Sequence, residues 1–317
     1  MPPSLARLSK DFRSGRISRR VFLERLISAG GSAALAQHYL VSSASAESLQ
    51  SDASPQESDR QSDRQSDRQS EQQPQSPAVE SAVVLYPGDG ATLLGYFSRP
   101  QHRPEHREDG KPFPGLLLIH ENRGLNEHIR DVARRLAAAG YFVLAVDQLS
   151  RQGGAASFLS PDDAATACGK VGDEDVVRDL EAATSYLASH PLVQRERIGV
   201  MGFGWGGERA FLYATVNPTL KAAVVFYGAP PPEDKLASIE TPVLGNYAEN
   251  DTRVTSTVAA TQAAMQRLGK SYDAQIYPAA GHGFFNDASP SYDEAAAQDA
   301  WTRTLAFLKR CLASEPL

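Results

Sequence analysis

The most informative part of the sequence is Arg197-Ile198-Gly199-Val200-Met201-Gly202-Phe203-Gly204-Trp205-Gly206-Gly207. An apolar, partly β-branched run leads into a turn crowded with glycine, and a helical pattern follows over Glu208–Val216. Two kinds of site use such a strand, turn and helix. One is the G-x-G-x-x-G turn that binds a dinucleotide, and the other is the G-x-Nu-x-G turn that carries a nucleophile.

The dinucleotide interpretation is the weaker of the two. Gly202, Gly204 and Gly207 match its letters, but that fingerprint opens the first βαβ unit and is followed by an acidic residue about 20 positions later. Here four or five predicted strands come first, and residues 222–228 contain no carboxylate. We therefore favour the nucleophile turn, in which Gly202 and Gly206 let the chain turn sharply and position 204 projects above the sheet.

Residues downstream of the turn support this interpretation. Asp251 follows an apolar run, and His282 follows the last predicted strand. The order nucleophile, Asp, His is that of the α/β-hydrolases, in which the aspartate orients the imidazole and the histidine acts as general base. Each residue alone has an ordinary explanation, a helix cap for the aspartate and a surface position for the histidine. The hypothesis therefore depends on their order and on their positions at strand ends.

The rest of the domain alternates short apolar runs with helical patterns, which is typical of a parallel sheet with crossover helices. Residues 116–119 are apolar on both faces of a strand, as expected where helices cover both sides. The sequence predicts an α/β class protein with an α/β-hydrolase fold, a mostly parallel central sheet of about eight strands with helices on both faces. The predicted strands are Val83–Tyr86, Leu93–Ser98, Gly115–His120, Phe142–Asp147, Arg197–Gly202, Ala222–Tyr227, Pro242–Ala248 and Asp273–Tyr277, and the predicted helices are Asn126–Ala139, Asp173–His190, Glu208–Val216, Ser256–Leu268 and Tyr292–Ala313.

Composition excludes several classes of protein. The chain has 317 residues with 41% hydrophobic residues and a formal net charge of −6, so it gives no electrostatic reason to expect nucleic acid as a partner. No stretch approaches ~18 consecutive apolar residues, and we expect no transmembrane anchor in the mature protein. The two cysteines, Cys168 and Cys311, are too few for a disulfide framework and form one bridge or none.

The N-terminal region has a charge of its own. Residues 1–46 hold seven Lys and Arg against Asp11 and Glu24, a net of +5. The run Ser18–Leu23, with its paired arginines, resembles a twin-arginine export signal, and a small-residue stretch ending in Ala44-Ser45-Ala46 follows. This predicts a signal peptide over residues 1–46 and an exported protein, periplasmic or extracellular. The alternative is a basic amphipathic helix that is not cleaved, on a cytoplasmic protein.

Residues 47–80 contain almost no large apolar side chains. They include three consecutive copies of the tetrapeptide Ser-Asp-Arg-Gln, over residues 58–69. Such a segment cannot bury a core, and a period of four is far shorter than a solenoid repeat. We predict a disordered, low-complexity linker over residues 47–80 and one catalytic-type domain over residues 81–317.

The domain resembles the dienelactone hydrolase family. The residues that carry the resemblance are His120-Glu121-Asn122-Arg123-Gly124, Ala145-Val146-Asp147, Gly202–Gly207, Glu249–Val254 and Gly281-His282-Gly283-Phe284. The resemblance implies an enzyme that opens small esters or lactones without a cofactor. It also implies that Glu121 lies beside the nucleophile and that the backbone N–H groups of Asn122 and Trp205 form an oxyanion hole.

One departure from the family matters most. The family carries cysteine at the position of Gly204, and glycine has no atom that can attack a carbonyl. One hypothesis is that His282, oriented by Asp251, deprotonates a water molecule for direct hydrolysis, with Glu121 assisting. A second is a catalytically inactive homologue that binds a small ligand, and a third is a sequence from which an active cysteine was lost. Cys168 precedes the helix before the turn and is interpreted as a buried or loop thiol.

The substrate is expected to be a small-molecule ester or lactone. Family members that act on dienelactones use arginines to hold the substrate carboxylate, and Arg151 matches the first such position. The second position reads Phe284-Phe285-Asn286 and has no arginine. Tyr227 and Phe284 predict an aromatic pocket, although packing in the core explains both as well. No HExxH motif or zinc spacing of cysteines is present, so we expect no metal.

Overall fold

The computed structural model of the protein describes residues 78–101 and 112–312. The predicted signal peptide, and the predicted linker as far as residue 77, lie outside the described residues. The first strand begins at Val79, shortly before the predicted domain boundary at Ser81.

Eight strands form one sheet. They are β1 Val79–Gly88, β2 Ala91–Pro100, β3 Phe113–Ile119, β4 Phe142–Asp147, β5 Val193–Phe203, β6 Ala222–Phe226, β7 Val243–Ala248 and β8 Tyr272–Tyr277. Their order across the sheet is β1-β2-β4-β3-β5-β6-β7-β8. β2 pairs antiparallel with β1 and with β4, and all the other neighbouring strands are parallel. The predicted sheet of about eight mostly parallel strands is confirmed.

Helices cover both faces of this sheet. In the described part of the chain the α-helices are α1 Glu127–Ala138, α2 Pro161–Cys168, α3 Asp173–Ser189, α4 Trp205–Val216, α5 Glu233–Leu236, α6 Thr252–Arg267 and α7 Glu294–Leu312. The pleat of β3 shows how the layers form, because Leu117 and Ile119 pack in one hydrophobic cluster with α2, α3, α4 and α6. Leu116 and Leu118 pack in a second cluster with α1 and α7. Strand residues that are apolar on both faces therefore fix a three-layer fold.

The structure differs from the predicted elements in local detail. The helix after the glycine-rich turn begins at Trp205, three residues before the predicted Glu208, because the glycines that close the turn also lie in the first helical turn. The short helices α2 and α5 were not predicted. A capping signal for α2 was present, since Ser160 precedes Pro161 and its side chain accepts a hydrogen bond from the N–H of Asp163.

The parallel strands bring the candidate residues to one edge of the sheet. β3, β5, β6, β7 and β8 all end at that edge, and their following loops begin with His120, Gly204, Tyr227, Glu249 and Pro278. Ligands of open α/β sheets bind outside the carboxyl ends of the strands. Over the described ranges, no helix combines the length and the hydropathy that crossing a bilayer requires.

Candidate active site

The turn between β5 and α4 is centred on Gly204. Its backbone has φ 51° and ψ −115°, a combination outside the regions that residues with a side chain normally occupy. Its N–H donates to the carbonyl of Phe226 at 2.9 Å, and its own carbonyl accepts from the N–H of Glu208 at 3.0 Å. The turn is therefore held on both sides by the backbone of the sheet and of the helix.

The glycines of this turn have different steric environments. A Cβ at Gly202 would overlap the carbonyl of Gly206, and a Cβ at Gly206 would overlap the carbonyl of His120 and lie 2.6 Å from that of Ile119. At Gly204 the nearest atom to a Cβ would instead be Nε2 of His282, at 3.4 Å, followed by two ring carbons of Tyr227 at 3.8 Å. Position 204 therefore has room for a Cβ in van der Waals contact with the imidazole, and both Gly204 and His282 line the cavity described below.

His282 and Asp251 form a close pair. Nδ1 of His282 lies 2.5 Å from Oδ2 of Asp251, which follows β7 directly before α6. The aspartate side chain is 8% exposed and the histidine side chain 46% exposed. Because a carboxylate accepts hydrogen bonds, Nδ1 carries the proton in the neutral ring, and Nε2 presents its lone pair to the space beside Gly204. The pair that the sequence predicted is thus brought together with the turn.

Glu121 is held by two neutral donors. The hydroxyl of Tyr227 donates to its Oε1 at 3.1 Å, and Nδ2 of Asn286 donates to its Oε2 at 2.9 Å. Burial, reinforced by the charge of Glu121, raises the pKa of Tyr227 well above its ordinary value, so its hydroxyl keeps the proton that it donates. Tyr227 also has a positive φ of 40° and packs its ring 4.9 Å from that of His282.

His120 fixes the backbone next to Glu121. The N–H of Gln148 donates to Nε2 of His120 at 3.1 Å, so the proton of the neutral ring is on Nδ1, which donates to the carbonyl of Glu121 at 2.6 Å. The ring is fully buried and stacks on Trp205 with centroids 5.7 Å apart. Burial lowers the pKa of His120, which keeps the ring in this neutral form.

Two peptide units are oriented by their bound carbonyls. In a trans peptide the C=O and N–H point in opposite directions, and the described residues contain no cis peptide bond. The carbonyl of Glu121 is held by His120 and by the N–H of Gly124, so the N–H of Asn122 points away from them. The carbonyl of Gly204 points into α4, so the N–H of Trp205 points out of the helix start. Within the described residues neither N–H has a hydrogen-bond acceptor.

The turn, the histidine and both peptide units line one cavity of about 730 Å³. Its wall includes the predicted residues Glu121, Asn122, Gly204, Trp205 and His282. Further lining residues that the sequence did not assign to the site are Asn126, Glu127, His128, Ala165, Gly169, Glu208, Gly283, Asn286, Ala288, Ser289 and Pro290, together with Arg123 and Arg253.

Three predicted pocket residues do not line this cavity. Arg151 is bound through its guanidinium to the carboxylate of Asp179 on α3 and to the carbonyl of Asp89. Phe284 is fully buried in an aromatic cluster. Tyr227 is also fully buried, and it contacts two residues that do line the cavity, Glu121 and His282. The expected substrate contacts of Arg151 and Phe284 are therefore corrected to an ion pair and to core packing.

Neither cysteine offers a substitute nucleophile. Both thiols are free, Cys168 is fully buried at the end of α2, and Cys311 is half-buried in α7. Burial raises the pKa of Cys168 to about 12, so its thiol stays protonated. As for metals, the part of the chain that the structure describes has no group of three or more His, Cys, Asp or Glu side chains placed to hold an ion.

The chain is similar to known proteins both in sequence and in fold. Residues 103–312 match the model of the dienelactone hydrolase family. A protein of Methylorubrum extorquens assigned as a carboxymethylenebutenolidase is 38% identical over 207 residues, covering 62% of this chain and 71% of that protein. A crystal structure from Klebsiella pneumoniae, assigned as a dienelactone hydrolase, superimposes with a TM-score of 0.67 and 32% identity, covering 74% of this chain and 99% of that one. The metagenomic dienelactone hydrolase-like promiscuous phosphotriesterase P91 gives a TM-score of 0.65 and 25% identity, covering 74% of this chain and 100% of its own.

The close backbone approach at the turn generates a stability prediction. Gly206→Ala places a methyl group against two carbonyl oxygens that cannot move independently, and we expect a loss of at least about 3 kcal/mol in the free energy of unfolding. Gly172→Ala is the matched control, because Gly172 is exposed before α3 with no atom near its Cβ position, and it should cost less than about 1 kcal/mol. Urea denaturation of both variants measures the difference, and equal losses would contradict the packing argument.

The neutral state of His120 generates a prediction about pH. Since its folded pKa lies below the unfolded value of about 6.5, acid protonates the unfolded chain first, and stability falls as the pH drops below about 6.5. The contribution of this residue is at most about 1.4 kcal/mol for each pH unit. His120→Asn keeps a donor for the carbonyl of Glu121 but does not titrate, so its unfolding free energy should fall less steeply with acid. Identical slopes for the two proteins would show that His120 does not carry this effect.

Proposed function

The chain belongs to the dienelactone hydrolase family, and from this premise we propose that it hydrolyses small esters or lactones by a water molecule that His282 activates directly. The observation that carries the proposal is the room for a heavy atom at Gly204, in contact with Nε2 of His282 and at the wall of the cavity that both residues line. We assign Gly204 to the position where the family carries its nucleophile. A water molecule at that position donates a hydrogen bond to the one imidazole nitrogen that can accept it.

The proposed reaction uses the pair in its observed order. His282 takes a proton from water as the oxygen attacks the substrate carbonyl, and Asp251 stabilises the imidazolium that forms. The N–H groups of Asn122 and Trp205 stabilise the negative charge on the carbonyl oxygen, because their carbonyls already point elsewhere. As the tetrahedral intermediate collapses, the imidazolium returns the proton to the leaving alkoxide. Atoms and charges balance without a covalent acyl-enzyme.

Glu121 has a different role in this proposal. Both of its carboxylate oxygens accept hydrogen bonds, from Tyr227 and from Asn286, so it is held in place and is not free to act as a base on water. It lines the same cavity as His282, and its carboxylate assists by stabilising the positive charge that the imidazole carries transiently during the reaction. We therefore assign it an assisting rather than a proton-transferring function.

The cavity fits a small substrate. Its volume of about 730 Å³ lies within the range of small-molecule sites, and its lining is mostly polar around the turn. The relatives with carboxymethylenebutenolidase names and the dienelactone hydrolase structure support an ester or lactone as the substrate class. The arginine expected to hold a substrate carboxylate, Arg151, is bound to Asp179 instead. We therefore favour uncharged esters and lactones over those that carry a carboxylate at that position.

Ester hydrolysis by the full chain tests the proposal. With short p-nitrophenyl esters, His282→Ala should lower kcat by about 100-fold or more, because it removes the general base. His190→Asn is the matched control, since His190 follows α3 outside the cavity, and it should keep wild-type kcat. Asp251→Asn should also lower kcat while leaving KM nearly unchanged, since Asp251 does not line the cavity.

Gly204→Cys separates the proposal from its alternative. If the natural protein has no turnover and only Gly204→Cys is active, the water mechanism is wrong and the ligand-binding interpretation is favoured. If both are active, only the cysteine variant should show a burst of p-nitrophenol, because only that variant forms an acyl-enzyme.

The N-terminal sequence supports a separate proposal about location. We propose that residues 1–46 direct export by the twin-arginine pathway to the periplasm or the cell exterior, against the alternative of an uncleaved N-terminus in the cytoplasm. Arg19→Lys combined with Arg20→Lys should retain the precursor in the cytoplasm, as measured by cell fractionation. Arg13→Lys with Arg16→Lys, outside the paired arginines, should be exported normally, and equal export of the two double variants would contradict the proposal.

A further inference from the structure

The space beside Gly204 is not specific for water. Its nearest boundaries are Nε2 of His282 and the ring carbons of Tyr227, whose hydroxyl is directed to Glu121. The only polar requirement that these atoms impose on an occupant is an X–H bond that donates to Nε2. Water, a primary alcohol and an amine meet that requirement, and a thiol meets it as a weaker donor.

A fixed nucleophile would prevent this use of the space. In an enzyme whose own side chain attacks the substrate, that side chain occupies the position next to the histidine, and an outside molecule enters only after the acyl-enzyme has formed. Here the first attack on the carbonyl comes from a molecule that is not attached to the chain. Its identity then determines the product, because water yields an acid and any other nucleophile yields an acyl derivative.

We infer that Gly204, His282 and Tyr227 form an acyl-acceptor subsite, and that the protein transfers acyl groups directly from an ester or lactone to small uncharged nucleophiles. The inference rests on the proposed hydrolytic function, of which it defines the second substrate. The acceptor X–H gives its proton to Nε2 of His282 as the X–C bond forms. The ester C–O bond then breaks, and the imidazolium gives the proton to the departing alkoxide, so no oxidant, reductant or further reactant is required.

The surroundings favour an uncharged acceptor. Asp251 places a carboxylate against Nδ1 of His282, and this charge opposes an anionic nucleophile at the attacking position. Two ring carbons of Tyr227 lie against the subsite and are apolar. A protonated amine has no lone pair with which to attack, so only the neutral form of an amine reacts.

The subsite also sets a size limit at the reacting atom. The backbone around Gly202 and Gly206 leaves no space for a Cβ, so the acceptor cannot extend beneath the turn. It can extend only outward, into the cavity of about 730 Å³. We therefore expect small acceptors such as hydroxylamine to react. N-tert-butylhydroxylamine, which carries a branched alkyl group on the attacking nitrogen, should not react.

Hydroxylamine at neutral pH is the probe for the test. The full chain is mixed with a short p-nitrophenyl ester, and both p-nitrophenol release and hydroxamate formation are measured against the reaction without protein. We expect hydroxamate as a product and a saturable increase of about tenfold in the rate of ester loss with rising hydroxylamine. N-tert-butylhydroxylamine should give neither effect, and His282→Ala should abolish both.

Gly204→Ser provides the kinetic contrast. Its side chain occupies the subsite and forms an acyl-enzyme, so hydroxylamine should divert product to hydroxamate without raising the rate constant of the first, burst phase of p-nitrophenol release, in which the enzyme is acylated. The same behaviour in the natural protein would overturn the inference. Equal reaction of the branched and unbranched acceptors would overturn it as well.

The outcomes separate this inference from the proposed hydrolysis. Hydroxamate formation without hydrolysis supports the acceptor subsite and contradicts the water mechanism. Hydrolysis that depends on His282, with no hydroxamate and no acceleration, overturns the subsite and leaves the hydrolytic function standing. Absence of both products from a protein shown to be folded by circular dichroism overturns both.

Discussion

Three backbone segments approach one another closely at one end of the sheet, and this contact fixes the geometry of the site. β5 turns into α4 with the carbonyl of Gly206 against Gly202, and the loop after β3 passes so near that His120 and Ile119 leave no room for a Cβ at Gly206. Only glycine permits this contact. It places the start of α4, the end of β3 and the imidazole of His282 around a single point, so the sequence of the turn determines where the chemistry of the whole domain can occur.

Neutral groups hold most of this arrangement in place. His120 is kept uncharged by burial and connects the loop after β4 to the loop after β3, while Tyr227 and Asn286 hold Glu121 through uncharged donors. The close contact between His282 and Asp251, by contrast, involves the group that our mechanism charges and discharges. A buried neutral network keeps its geometry over a wide pH range, whereas a charged one would change with each protonation. This division leaves the imidazole of His282 to respond to the substrate.

The sequence predicted the fold and the turn better than it predicted the pocket. Apolar runs and helical patterns identify buried strands and helices directly, because both are repeated over several residues, and the order of Gly204, Asp251 and His282 places three residues at one sheet edge. The resemblance predicts a substrate contact for Arg151, but this arginine forms an ion pair with Asp179. Asp179 lies on α3, and no local pattern predicts which face of that helix meets Arg151. The bond between Glu121 and Asn286 joins residues far apart in the chain, and only the folded loops bring them together. Which side chains meet across such distances in the chain depends on how the helices and loops pack. No local pattern in the sequence predicts that packing.

The glycine at position 204 changes the energetics of the site in two opposite ways. A side chain held at φ 51° and ψ −115° would carry about 1 to 3 kcal/mol of backbone strain, which glycine avoids, so its presence stabilises the fold. It also removes the attacking atom, and the pocket then depends on a mobile molecule whose immobilisation costs entropy. A pocket that only binds a ligand has no need of a carboxylate 2.5 Å behind its histidine, nor of two unpaired N–H groups aimed away from their bound carbonyls. Both features are present beside the glycine, and for this reason we assign hydrolysis to the site rather than ligand binding alone.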